Sequence, residues 1–409
     1  MRWTLKSWAA AIALSVTATG VALADYTDGV IRIGVLNDQS GLYSDITGQG
    51  SVWAARKAVE DYCKANTCDV KIEVVFADHQ NKPDIGSSIA RQWYDVDGVD
   101  AIADVPTSSV GLAVSTVTKE KNKVLLNSGS ATSDLTGKAC SPNTIHWTYD
   151  TWALANGTGQ AIVKSGGTSW FFITTDYAFG HALERDTTAV VKANGGQVLG
   201  QVRVPLNTQD FSSYLLQAQS SKAKIIGLAN AGGDTNNSIK QAAEFGIGRG
   251  GQKVVGLLVV MPQVKAIGLP LAQGLIYTEA WYWDLTESNR KWTTRYVAQH
   301  PKKLYPTMVH AGVYAAVTHY LKAIEALKSD ADGKAIVAKM KEMPTDDPLF
   351  GKGTIRADGR KLHPMYLMEV KQPAESKGEW DLVKVHTTIP AEQAFRPLDQ
   401  GDCPLVAKK

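Results

Sequence analysis

After its first two dozen residues the chain has no long apolar run. Nothing there approaches the ~20 consecutive apolar residues of a membrane-spanning helix. An excess of charge is also missing. Lys and Arg number 43 against 40 Asp and Glu, giving a formal net charge of +3, and so even a balance leaves no basic footprint for nucleic acid. The motifs of several enzyme classes are absent. There is no G-x-x-x-x-G-K-[ST] to cradle a nucleotide's phosphates and no H-E-x-x-H to hold zinc. "NSGSATS" around Ser130 is not the G-x-S-x-G nucleophile turn. "GTGQAI" at Gly157 has two glycines of the dinucleotide fingerprint and lacks the third. The eight histidines are scattered. His310 and His319 fall on different faces of a predicted helix and read as packing or surface residues rather than ligands. Because sequence order does not reveal a triad assembled in space, a secreted hydrolase remains the rival from another functional class.

Cysteine is scarce, with four in 409 residues, and its meaning depends on the compartment. Arg2 and Lys6 precede an apolar core, Ala9–Val21, that is too short to span a bilayer. Ala22-Leu23-Ala24 follows as an A-x-A cleavage signal. Residues 1–24 therefore read as a signal peptide. The next residue, Asp25, is not a cysteine and offers no lipid anchor. An exported chain meets oxidising conditions, where cysteines pair. Cys63 and Cys68 are close enough for a local disulfide, which leaves Cys140 to pair with Cys403 and tie the tail to the first half. The competing reading is a metal site, but C-x4-C without a nearby histidine is poor zinc spacing. No metal and no cofactor are expected.

What is present is alternation. Val30–Leu36, Val70–Ala77, Ala101–Val105 and Val124–Asn127 read as strands, and the helices Ser51–Lys64, Pro83–Asp95 and Ser108–Lys119 lie between them. The pattern restarts at Trp170–Thr174 and runs through Gln197–Val204, Ile225–Ala229, Val254–Val260 and Leu275–Ala280. Strand–helix alternation with short loops predicts α/β architecture with parallel sheets covered on both faces. A chain this long favours two cores over one. Helices at Glu287–Gln299, Thr307–Ala326 and Gly333–Lys341 arrive after the second lobe and are expected to complete the first. The division expected is 25–147 with 281–345 as the first lobe and 148–280 with 346–395 as the second. Residues 396–409 form a tail returning to the first.

Loops after parallel strands line the ligand crevice of open α/β sheets. Four such loops here, Asp38–Gly48, Pro106–Ser109, Ser128–Ser133 and Thr175–Gly180, are rich in hydroxyls and glycine. "PTSSVG" leads straight into a helix, whose free amides and dipole favour a carboxylate. Thr107, Ser108 and Ser109 are therefore candidate donors. Tyr149 and Trp152 flank Asp150 at one expected crossing between lobes, and Trp281, Tyr282 and Trp283 sit at another. Tyr43, Tyr177 and Phe179 lie in loops. Such aromatics can stack on a ligand's apolar part.

These stretches, taken in order, carry a resemblance. "IRIGVLNDQSGLYSDITGQGSVWAARKAVEDY", "FADHQNKPD", "PTSSVGLAVSTVTKEKNKVLLNSGSATSDLTG" and "TTDYAFGHAL" are similar to the leucine/isoleucine/valine-binding family of periplasmic solute-binding proteins, which feed ABC importers. The likeness runs over nearly the whole mature length. It implies a type I periplasmic binding protein: two Rossmann-like lobes joined by three crossings and closing over the ligand. It implies a ligand carboxylate against Thr107–Ser109 and against Gly129, Ser130 and Ala131, with first-loop contact around Tyr43. Phe179 stands at the second-lobe tyrosine of amino-acid binders. Acidic residues for a ligand ammonium are expected near Asn230–Asp234 and around Leu257–Val259. The latter stretch is apolar here, which argues against an α-amino acid and for an aromatic or similar organic acid. Tyr149, Asp150, Asp234 and Trp281 complete the expected site. The implied partners are a small carboxylate and an inner-membrane ABC permease, without nucleic acid, for a monomeric periplasmic receptor. A branched-chain amino acid receptor and a periplasmic sensor subunit are the other readings in the same class.

Overall fold

The computed structural model describes residues 26–66, 68–248 and 250–407, so residues 1–24, expected to be a signal peptide, lie outside the described residues. Five parallel strands form the sheet of the first lobe: β1 (Val30–Asn37), β2 (Lys71–Asp78), β3 (Ala101–Asp104), β4 (Val124–Asn127) and β5 (Thr144–His146), in the order β2-β1-β3-β4-β5. Four more form the second: β6 (Ser169–Thr175), β7 (Gln197–Val204), β8 (Ile225–Ala229) and β9 (Lys253–Gly256), in the order β7-β6-β8-β9. Each order reverses direction beside its first strand, and a crevice opens at such a switch point beyond the carboxyl ends of the strands. The strands end within two residues of where the apolar runs predict, except that β9 stops at Gly256, four residues short. Leu257 still donates its amide to the Leu228 carbonyl at 3.3 Å, and the next residue, Leu258, reaches the gap between the lobes.

β1 shows why a continuous apolar run becomes a central strand. Ile33, Val35 and Leu36 are fully buried between layers of helix, as expected for a parallel strand covered on both faces. A Cβ on Gly34 would stand 2.4 Å from the Trp93 ring. Glycine there lets the helix Pro83–Asp95 lie close on the sheet.

The chain then crosses back, as the aromatic-rich segments suggest. β10 (Ile276–Glu279) leads through Trp281 into the helices Glu287–Gln299, Met308–Leu327 and Gly333–Glu342, which pack on the first lobe. Met308–Leu327 is buried along most of its length against Gly48–Ala65. A small antiparallel sheet follows: β11 (Thr345–Asp347), β12 (Gly351–Ile355) and β13 (Lys361–Leu362). The stretch 346–362, assigned to the second lobe on sequence grounds, packs instead against the first. Arg360 bridges His146 at the end of β5, and β12 lies on the helix Gly333–Glu342. These strands are too short, and too exposed along β12, to announce themselves by alternation. The third crossing consequently lies near 363–364, beyond the expected boundary between 345 and 346. β14 (Met365–Val370) and β15 (Val383–Ile389) then join β10 in an antiparallel sheet beside the second lobe.

Both disulfides are formed. Cys63–Cys68 has a Cα–Cα distance of 5.3 Å and Cys140–Cys403 one of 5.6 Å. The second ties the tail to the first lobe, helped by Arg396, which donates to the Ser133 carbonyl at 2.9 Å. Their sequence separations are 5 and 263. On the chain-entropy model these loops constrain the unfolded chain by about 2 and about 5–6 kcal/mol. Replacing Cys140 and Cys403 together with serine is therefore expected to lower Tm by more than replacing Cys63 and Cys68. Calorimetry of the two double variants checks this, and a larger loss from the Cys63/Cys68 pair contradicts it.

Candidate functional site

The "NDQSGLY" stretch folds on its own aspartate. The buried Asp38 carboxylate accepts from the amides of Gly41 (2.6 Å) and Tyr43 (2.8 Å), and from Asn81 Nδ2 at 2.7 Å. Closing a loop onto an Asp side chain is the Asx-turn device. Here it carries Tyr43 to the gap between the lobes, where the Tyr43 and Tyr177 hydroxyls meet at 2.6 Å. Gly232 stands just beyond, at φ 61 and close to the Leu42 carbonyl, where a Cβ would come within 2.7 Å. That approach and that backbone angle both select glycine.

Between the lobes lies a cavity of about 20 Å³, about the room of one water. Its walls are Tyr43, Ile46, Thr47, Pro106 and Tyr149 on one side and Tyr177, Phe179, Ala231 and Leu258 on the other. Apart from Tyr149, which stands on the first crossing, each wall residue follows the carboxyl end of a parallel strand. Tyr43, Ile46 and Thr47 follow β1, Pro106 follows β3, Tyr177 and Phe179 follow β6, Ala231 follows β8 and Leu258 follows β9. No wall residue is charged. A wider cleft of about 470 Å³ opens to the side, between Asp38–Leu42 and Gln80–Lys82 of the first lobe and Leu206 and Asn207 of the second.

Four helices begin at this junction. Their N-terminal flanking residues are Thr47, Thr107, Tyr177 and Gly232, and none accepts a side-chain cap. Two of the four carry hydroxyls that could cap and do not. Thr47 donates back to the Tyr43 carbonyl at 3.2 Å, and Thr107 donates to Asn81 Oδ1. Elsewhere Thr286, Thr307 and Asp332 cap their helices in the ordinary way. Uncapped N-termini leave backbone N–H groups and positive dipole ends without partners, so the junction attracts negative charge. Thr47 is also fixed from behind. The neutral His310 ring donates from Nε2 to the Thr47 carbonyl at 2.9 Å and accepts the Thr307 amide at Nδ1. Burial lowers its pKa to about 3.

The turn after β3 is strained. Asp104 and Val105 have φ of 81° and 57°. A β-branched residue in the left-handed region costs about 1–3 kcal/mol, and such strain gathers at functional sites. It aims Pro106 into the cavity. The β4 loop holds it there: the amides of Ser128 and Gly129 donate to the Asp104 carbonyl at 3.2 and 3.1 Å, and the Ser130 hydroxyl lies within bonding distance of the Val105 and Thr107 carbonyls.

Of the residues expected at the site, the structure brings Tyr43, Tyr149 and Phe179 together in the cavity wall. The Tyr149 hydroxyl donates to the Gly129 carbonyl at 3.0 Å. Thr107, Ser108, Gly129, Ser130 and Ala131 are buried just behind it. Ser108 Oγ accepts the Thr132 amide at 3.1 Å, and the Ala131 carbonyl accepts the Thr151 amide at 2.8 Å. Ser109 is half-buried in the same helix turn. Asp150 points away from the cavity: it caps Ala153 at 2.8 Å and faces Arg360 at 3.4 Å. Trp281 is buried edge-on to Trp292, with ring centroids 5.7 Å apart. Asp234 opens the helix Gly233–Glu244, 1% exposed. It accepts the Asn207 amide on Oδ2, and its Oδ1 has no partner among the described residues. Ile46, Thr47, Pro106, Ala231 and Leu258 lie inside the expected loops and segments, but their residue types did not single them out as wall residues.

Hydration lost on burial shapes the electrostatics. It raises the phenol pKa values of Tyr43, Tyr149 and Tyr177, keeping them protonated as donors. Burial pushes Asp104 up to about 6 and Asp234 up to about 7.

The periplasmic binding protein pattern matches residues 30–379. A periplasmic binding protein from Burkholderia mallei is 50% identical with a TM-score of 0.89, over 92% of this chain and 99% of that one. A branched chain amino acid ABC transporter periplasmic ligand-binding protein from Burkholderia xenovorans LB400 is 37% identical with a TM-score of 0.80, over the same shares. Leu/Ile/Val-binding protein homolog 6 of Brucella abortus (strain 2308) is 26% identical over 364 residues, 85% of this chain and 89% of that protein.

A folded Asp234 keeps its proton to about pH 7, whereas the unfolded chain releases it near 3.9. Between those values the native state binds more protons, so stability falls as pH rises from about 4 to about 7. Asp234→Asn removes that slope. Relative to the parent chain it is expected to gain about 2–4 °C in Tm at pH 8, the effect of ~1 kcal/mol on a domain of ~200 residues, and to gain little at pH 4. Melting curves at both values test this, and an equal offset at both contradicts it.

Proposed function

The chain belongs to the periplasmic binding protein family, and on that premise we propose that its cavity takes a small carboxylate-bearing solute, an aromatic acid in preference to an α-amino acid. Proteins of this family are substrate-binding components of transporters rather than enzymes. The role proposed is delivery to an inner-membrane ABC permease by a monomer exported behind the signal peptide 1–24. Among the described residues no helix is long and apolar enough to cross a membrane.

One observation carries the reading: four uncapped helix N-termini meet around a wall of three tyrosines and a phenylalanine that contains no charged side chain. Backbone N–H groups and dipole ends favour an anion without a counter-charge. Aromatic rings favour a flat apolar body. The amides at Ser108 and Ser109 and the phenols of Tyr43 and Tyr177 are the donors proposed for the carboxylate. To admit it, the Tyr43–Tyr177 hydroxyl pair must part, since about 20 Å³ holds no ring. Closure over the ligand would then shed water and strengthen each polar contact.

A branched-chain amino acid is the second reading. It is favoured by the free Asp234 Oδ1 and by the aliphatic Ile46, Ala231 and Leu258 in the wall. An ammonium would need Asp234 ionised, so such binding should strengthen as pH rises through about 7.

Titration calorimetry with benzoate, 4-hydroxybenzoate and leucine separates the two readings. Benzoates are expected to bind at least tenfold more tightly than leucine. Tyr177→Phe is expected to cost about 10–100-fold, what a hydrogen bond to a charged group is worth at 1.5–3 kcal/mol. Leucine binding as tightly as the benzoates, and rising with pH, overturns the aromatic assignment.

A further inference from the structure

We infer that Arg360, just before the third crossing and outside every site motif, is a positioning residue that sets where Tyr149 stands in the ligand cavity. The inference rests on that cavity being the ligand site, as proposed above. Arg360 is 0% exposed. Burying a guanidinium is costly unless its donors are well used. Its Nη2 donates to the Thr148 carbonyl at 2.7 Å, its Nη1 faces Asp150 Oδ2 at 3.4 Å, and its Nε donates to the Lys361 carbonyl at 3.0 Å. The guanidinium also lies over the Phe395 ring, 4.4 Å from its centroid. Its two outer nitrogens thus reach the residues immediately before and after Tyr149.

Those neighbours are held to the site as well. The Thr148 hydroxyl donates to the Ser128 carbonyl, and the Tyr149 hydroxyl to the Gly129 carbonyl at 3.0 Å. Asp150 Oδ1 caps the next helix through the Ala153 amide at 2.8 Å. The His363 ring reinforces the clamp, with Nε2 donating to the Thr148 carbonyl at 2.8 Å. Tyr149 is therefore the middle residue of a tripeptide gripped on both sides by residues at the start of the third crossing. The grip thus joins the first link between lobes to the start of the third. A planar fork that contacts two residues at once is not reproduced by lysine, which offers a point charge.

The test places 3-fluorotyrosine at position 149 in the full chain and reads its fluorine resonance by NMR. Three variants are compared: Arg360→Gln, Arg360→Lys and Val337→Ala. The last truncates a buried side chain on the helix Gly333–Glu342 and controls for lost stability without touching residues 148–150. The expected result is a resonance displaced or divided in Arg360→Gln, a smaller change in the same direction in Arg360→Lys, and the parent signal in Val337→Ala. Benzoate affinity is expected to fall about tenfold in Arg360→Gln and to be unchanged in Val337→Ala. If Arg360→Gln does not fold, Arg360→Lys decides alone. A parent-like resonance in the folded Arg360 variants, or the same displacement in Val337→Ala, overturns the inference. If the parent chain binds no benzoate, the aromatic-acid reading fails while the fluorine comparison still decides the role of Arg360.

Discussion

A parallel strand has a direction, and in this protein that direction organises the site. When strands run parallel and helices return between them, the carboxyl ends of the strands and the N-termini of the following helices share one edge of the sheet. Two such sheets, β1–β5 and β6–β9, turn those edges toward each other. Unpaired amides and positive dipole ends therefore gather at the junction without any lysine or arginine in the wall. The charge preference proposed for the cavity follows from backbone geometry, and the side chains are left to set shape.

Around the junction, most polar side chains serve the loops. Asp38 is used up by its own turn and by Asn81, and the hydroxyls of Thr47, Thr107 and Ser130 are turned inward onto backbone or Asn81. A buried polar group without a partner costs more than one satisfied nearby, so loop hydroxyls close to carbonyls are captured by them. The strained Asp104–Val105 turn can persist because the β4 loop grips it through the Asp104 carbonyl and Ser130. Rigidity in the loops lets the wall residues be plain apolar and aromatic groups.

The larger elements were legible because burial leaves a period in sequence. Pro83–Asp95, Val124–Asn127, Gln197–Val204, Ile225–Ala229 and Glu287–Gln299 have the ends expected from proline placement and apolar runs. The strands at 345–362 were not legible, being two to five residues long and partly exposed, and this moved the third crossing. Within the site, the aromatics Tyr43, Tyr149 and Phe179 stood out by type. Asp150 stood out too, yet its partner Arg360 lies 210 residues away in sequence, and no local pattern marks that pairing.

Composition, periodicity and the order of its loops were enough to determine an α/β protein of two lobes and to raise the expectations of export and of carboxylate-seeking loops, because each of those properties is local in the chain. Tertiary structure decided which loop side chains face the cavity and which face the loop beside them. It also decided that the cavity wall carries no charge, and that a buried arginine just before the third crossing grips the first. Those outcomes depend on distances between residues far apart in sequence, and such distances exist only once the chain has folded.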